Sequence, residues 1–141
     1  MASLLVVDDD QDGRWVLCEF LSRKGYQVTG VPSGRAAQAS LVRRVPDLVI
    51  LDLCMPGMDG CGLLRVMQYD MGLYALPVVV LTGFPDGPAA ERARDMNVNA
   101  VLTKGNATLT DIHRTIDAKL GRTPEQRAAR RTASVNLPGA A

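Results

Sequence analysis

Short runs of large apolar residues recur along this chain, each followed by a polar or small residue that stops it. Leu4-Leu5-Val6-Val7, Leu48-Val49-Ile50-Leu51, Val78-Val79-Val80-Leu81 and Ala100-Val101-Leu102-Thr103 show no in-out alternation. Such runs fit short strands covered on both faces, as in a parallel sheet, better than strands with one wet side. Gln27 to Val31 is mixed in polarity, which suits a sheet edge. The segments between these runs carry helical spacing. Asp10 can cap a helix through about Lys24, closed by Gly25, with Trp15, Cys18, Leu17, Phe20 and Leu21 as its apolar stripe. A second helix after Pro32-Ser33-Gly34 runs to about Arg44, with Ala36, Ala37, Leu41 and Val45 as its expected buried set. A third from Gly62 to Tyr69 offers Leu63, Leu64, Val66 and Met67. A fourth from Pro88 to Met96 has only Ala89, Ala90, Ala93 and Met96 as apolar material, and a fifth, ending at Leu120, places Leu109, Ile112, Ile116 and Leu120 three or four apart.

Five strands alternating with five helices predict an α/β domain of the flavodoxin-like, doubly wound (βα)5 type, with helices on both faces of a five-stranded parallel sheet. Strand order 2-1-3-4-5, taken by analogy with that type, puts the mixed second strand at an edge. The chain of 141 residues suits one core of ordinary size. The expected division is a domain over 1–121 and a basic tail over 122–141, too poor in apolar residues to pack and expected to be disordered. Charge supports it: residues 1–121 hold 12 basic and 14 acidic side chains, while 122–141 hold four Arg against Glu125. Cys18, Cys54 and Cys61 form an odd set without paired spacing, and no apolar run approaches the roughly 18 residues of a membrane span. A soluble protein of a reducing, cytoplasmic compartment is expected, with no membrane contact.

The chemistry-bearing residues sit where the runs stop. Asp8 and Asp9 follow the first, Asp52 the third, Thr82 the fourth and Lys104 the fifth. In an open parallel sheet these tips share one edge, where ligands bind. Two like charges 4 Å apart repel by about 1 kcal/mol in water and about 4 at an effective dielectric of 20, so converging carboxylates invite a hard cation. Mg²⁺ suits them, since it takes one or two carboxylates, keeps waters and binds phosphate oxygens. With a lysine and a hydroxyl beside it, the site fits transfer of a phosphoryl group onto a carboxylate. Asp52 is the expected acceptor.

These residues together resemble the receiver domain of bacterial two-component response regulators, over roughly residues 3 to 120. The resemblance rests on Asp8-Asp9, Asp52 followed by Met55-Pro56-Gly57-Met58-Asp59-Gly60, Thr82 and Lys104. It implies that Asp52 accepts phosphate from a histidine kinase or a histidine phosphotransfer protein. It further implies that Asp9, Asp52 and the backbone carbonyl of Cys54 ligate Mg²⁺, with Asp8 acting through water. Thr82 would donate its hydroxyl to the phosphoryl group and Lys104 would pair with a phosphoryl oxygen. Such a protein takes part in its own phosphorylation without being an enzyme in the ordinary sense.

Some positions depart from the family pattern. Gly105 replaces the usual proline after the lysine, so a cis bond there, costing about 2.5–4 kcal/mol before a non-proline residue, is not expected. Val101 replaces the usual aromatic residue three before the lysine, which removes a ring switch at that position. Gly83 keeps access open, and Phe84 is placed to shield the phosphoryl group; a changed phosphoryl lifetime is expected.

Other residues take simpler readings. Asp10 and Asp12 suit the positive start of a helix. His113 is read as a solvated or hydrogen-bonded histidine, Cys54 and Cys61 as structural thiols, and the Arg-rich tail as a solvated extension. The expected output is a protein target bound through the face of the fourth and fifth helices and the fifth strand. No DNA-binding domain is expected in this polypeptide, and dimerisation is left open. One rival is a docking protein that keeps the fold but ignores phosphate. Another is a phosphohydrolase, which would want a second acid where Cys54 stands.

Overall fold

The computed structural model describes residues 1–53 and 60–121. The elements are β1 (Ser3–Val7), α1 (Gln11–Arg23), β2 (Gln27–Val31), α2 (Gly34–Arg43), β3 (Leu48–Asp52), α3 (Gly60–Arg65) with a π-helical turn at Val66–Asp70, β4 (Val78–Thr82), α4 (Pro88–Asp95), β5 (Ala100–Thr103) and α5 (Leu109–Lys119). The strands form one sheet in the order β2-β1-β3-β4-β5, every pair parallel. This is the doubly wound architecture that the strand-helix alternation predicts.

The unalternating strands are buried on both faces because each feeds two cores. Val49, Leu51, Val78 and Val80 pack with Ala37, Leu41, Leu63, Leu64, Ala90 and Ala93 of α2, α3 and α4. Leu48, Ile50, Val79 and Leu81 pack on the other face with Leu17, Leu21, Ile112 and Ile116 of α1 and α5. Edge strand β2 buries only Val31.

Several expectations about helix faces are corrected. Trp15 is 66% exposed, while Leu17 and Leu21 of the same expected stripe are buried. At about 100° per residue, Leu17 and Leu21 share a face and Trp15 lies on the opposite one. Val45 falls after the end of α2 and is exposed. The regular part of α3 stops at Arg65, and the widened turn that follows is closed by the Met71 N–H donating to Val66 O. It buries Met67 and Gln68 in succession and leaves Val66 half-buried. Gln68 Nε2 donates to Met96 O at the end of α4, so the buried amide is satisfied.

His113 is buried rather than solvated. Its Nε2 lies 3.1 Å from Asp117 Oδ2 one turn along α5, and the Tyr26 hydroxyl donates to Asp117 Oδ1. Phe20 and Tyr26 approach the imidazole edge-on, at 6.2 and 6.1 Å between centroids. The carboxylate of Asp117 thereby joins α5 to the start of β2. At the other end of α5, Thr108 and Asp111 form a reciprocal capping box.

Tyr26→Phe is expected to lower unfolding free energy by about 1–3 kcal/mol, because it leaves a buried carboxylate short of a donor. Urea denaturation should show this as a lower midpoint with an unchanged slope. At Asp111 the hydrogen bonds of Thr108 hold the carboxyl below the ordinary aspartate value. Its stabilising contribution is thus present above that value and is lost as pH falls through the lower folded-state value. Asp111→Asn should flatten that part of the acid-unfolding profile, read by helix circular dichroism.

Candidate functional site at the carboxyl edge of the sheet

Register places the predicted residues. Val7 pairs with Leu51, so Asp8 and Asp52, the next residue of each chain segment, emerge side by side. Asp52 pairs with Leu81 and Thr82 with Thr103, which sets Thr82 beyond Asp52 and Lys104 at the end of β5. Asp8, Asp52 and Thr82 are buried, at 5%, 3% and 1% exposure, while Asp9 is exposed. One carboxylate oxygen from each of Asp8, Asp9 and Asp52 lies within 4.8 Å of the others.

Lys104 is the counter-charge to this group. Its Nζ lies 3.1 Å from Asp52 Oδ2 and 3.5 Å from Asp8 Oδ2. Burial works against the ammonium, but the hydrogen bond to Asp52 and the charges of Asp52 and Asp8 outweigh it and raise the Lys104 pKa above its ordinary value. One ammonium against three carboxylates still leaves negative charge in excess. Oxygen donors in that number and spacing fit a hard divalent cation such as Mg²⁺, bound to one or two of them directly and to the rest through water.

Neighbouring backbone fixes the acids. Asp8 Oδ1 accepts from the Asp10 N–H at 3.0 Å, and its backbone carbonyl accepts from Arg14 Nη1 at 2.7 Å. Asp10 caps α1 through the Gly13 N–H, which accounts for it without a ligand role. A Cβ at Gly60 would lie 2.7 Å from Leu53 Cα and 2.8 Å from Asp52 O, so only glycine lets α3 begin so close beneath Asp52. Cys54, whose carbonyl was expected to ligate metal, and 55–59 of the same motif lie outside the described residues, as does the tail 122–141.

At the departures from the family pattern, the structure gives physical reasons. The Lys104–Gly105 bond is trans, as are all peptide bonds among the described residues, and Gly105 has φ +89°. Proline, fixed near −65°, cannot adopt that backbone. Val101 is half-buried and packs on the core beneath α4.

Two contacts lay beyond sequence reasoning. Arg14 reaches back to the end of β1, and the Phe84 N–H donates to Thr82 Oγ1 at 3.0 Å. Each depends on how a turn folds, and no residue pattern announces it.

Residues 4–117 match the family described as the response regulator receiver domain. The chain is 39% identical over 99 residues to the DNA-binding transcriptional regulator NtrC of Salmonella typhimurium, covering 70% of this chain and 21% of NtrC. It thus spans about one fifth of that relative. An uncharacterized 14.6 kDa protein of Leptolyngbya boryana is 37% identical over 102 residues, covering 72% of this chain and 77% of its own. Among solved structures, the receiver domain of a signal transduction histidine kinase from Syntrophus aciditrophicus superposes with a TM-score of 0.78 at 29% identity, over 86% of this chain and 91% of the other. Among the described residues, no helix is long and apolar enough to cross a membrane.

Mg²⁺ at ten times its Kd is expected to stabilise the fold by about 1.4 kcal/mol, read as a rise in the thermal midpoint. Asp9→Asn, at an exposed position, should leave the metal-free midpoint nearly unchanged and remove most of that rise.

Proposed function

The chain belongs to the response regulator receiver domain family, and from that premise we propose that Asp52 is its phosphoacceptor. The observation that carries this reading is the buried Asp52 carboxylate held 3.1 Å from the Lys104 ammonium, with Asp8, Asp9 and Thr82 at the same edge. A carboxylate oxygen of Asp52 attacks the phosphorus of a phosphohistidine on a histidine kinase or phosphotransfer protein. The P–N bond breaks, the imidazole leaves with the electron pair, and an acyl phosphate remains on Asp52.

Lys104 already lies within hydrogen-bond distance of the Asp52 carboxylate, so a small movement shifts its charge onto a phosphoryl oxygen. Thr82, one register step away, donates its hydroxyl to another. Asp9, Asp52 and the carbonyl of Cys54 would hold Mg²⁺, with Asp8 acting through water, and the ion would supply positive charge to the phosphoryl oxygens. Conversion of a carboxylate to a group of about −1.5 to −2 charge then biases the α4, β5 and α5 face toward a protein target.

Intact mass after incubation with acetyl phosphate and Mg²⁺ should show one phosphoryl increment, absent with a chelator and absent in Asp52→Asn. If neither acetyl phosphate nor a phosphohistidine donor gives an adduct, the reading fails. If partner capture is identical for native protein and Asp52→Asn, the fold serves as a phosphate-independent docking module, the output suggested by the missing ring at Val101.

A further inference from the structure

Of the three acids at the site, Asp9 is held by the fewest contacts. Asp8 accepts from the Asp10 N–H and Asp52 from Lys104, whereas the Asp9 side chain is exposed and has no hydrogen bond or ion pair among the described residues. One of its oxygens nevertheless lies within 4.8 Å of oxygens of Asp8 and Asp52. Its direction is therefore set by the backbone that bears it.

That backbone is the peptide group joining Asp8 to Asp9, and it is fixed from two sides. The Asp8 N–H donates to Val31 O at 3.1 Å, which ties Asp8 to the end of β2. Arg14 Nη1 donates to the Asp8 carbonyl at 2.7 Å, and this carbonyl is the oxygen of the peptide that continues into Asp9. Arg14 is half-buried, and its guanidinium forms no ion pair among the described residues. A charged donor on a carbonyl is one of the stronger kinds of hydrogen bond. The stem of Arg14 lies against β2 at the position of that strand that has no side chain. A Cβ on Gly30 would lie 2.8 Å from Cys18 Sγ, and 3.2 and 3.3 Å from Arg14 Cγ and Cδ. Gly30 thus leaves the slot through which the side chain of Arg14 reaches the tip of β1.

Resting on the cation site of the phosphoacceptor reading, we propose that Arg14 is a positioning residue for Asp9, acting through the Asp8–Asp9 peptide, and that Gly30 supplies the slot its stem requires. By charge alone Arg14 opposes Mg²⁺, because a guanidinium and a divalent cation repel. By geometry it favours the ion, because it holds the peptide that aims Asp9 at the other two acids. The two effects have opposite signs. Solvent around the exposed Asp9 screens the repulsion, whereas the hydrogen bond from Arg14 is part-buried, so geometry prevails.

Mg²⁺ titration of the full-length protein, followed by amide NMR shifts, measures the Kd in each variant. Arg14→Gln should raise it by about tenfold, the low end of what groups behind metal ligands contribute; loss of a positive charge acting alone would lower it. Arg14→Lys, which keeps the charge, the stem and a donor, should recover part of that loss. Gly30→Ala should also raise the Kd, although residue 30 offers no ligand. Thermal midpoints without metal show that each variant is folded, and a merely structural role for Arg14 would lower the midpoint while leaving the Kd native. A Kd in Arg14→Gln at or below the native one overturns the positioning role, as does an Arg14→Lys protein that binds no more tightly than Arg14→Gln. A native Kd in Gly30→Ala overturns the slot. Native protein in which Mg²⁺ shifts no amide at Asp8, Asp9 or Asp52 overturns both the positioning role and the cation site beneath it, while phosphoryl uptake by native protein, read separately by intact mass, tests the acceptor.

Discussion

Three carboxylates brought within 4.8 Å of one another, two of them buried, are the constraint to which the rest of the carboxyl edge answers. Left alone, such a group works against folding, since each pair repels and burial strengthens the repulsion. Lys104 offsets part of it through contacts at 3.1 and 3.5 Å. The Asp10 N–H on Asp8 offsets more. The remaining negative charge is tolerated by a sheet whose core does not depend on it. An edge held together in this way is prepared for a cation or for a change in the charge of Asp52.

The fold can carry that local cost because its core is built independently of it. β3 and β4 are buried along their whole lengths, each supplying alternate residues to the two helical layers. The second polar cluster, Tyr26, His113 and Asp117, lies away from the strand tips and joins α5 to the start of β2 through a carboxylate that accepts from the Tyr26 hydroxyl and faces His113. Polar groups therefore occur in two settings in this domain. One is enclosed beneath α5, the other sits at the sheet edge with three carboxylates against one ammonium.

The elements next to the site differ in how they are held. α1 is tied to the end of β1 by Arg14 and by the Asp10 cap, and α3 starts against Asp52 through Gly60. α4 begins instead at a glycine cap with no side-chain hydrogen bond, reached through the turn that starts on Thr82.

Strand positions, the class of fold and the convergence of Asp8, Asp9, Asp52, Thr82 and Lys104 on one edge were legible in the chain, because continuous apolar runs and their polar stops are local patterns and a parallel sheet brings every stop to the same side. Helix faces were less legible. Trp15 was expected inside and is exposed, since an apolar residue in a helix does not state which side the sheet covers; Leu17 and Leu21 won that face by spacing. The widened turn after Arg65, the buried partners of His113, the left-handed Gly105 and the hydrogen bond from Phe84 to Thr82 depended on residues distant in sequence or on backbone angles that no side-chain pattern encodes. Sequence alone thus determined which chemical groups meet, because periodicity and punctuation are written residue by residue. Tertiary structure decided their charge balance and their mechanical links, because those depend on distances set only when both cores have closed.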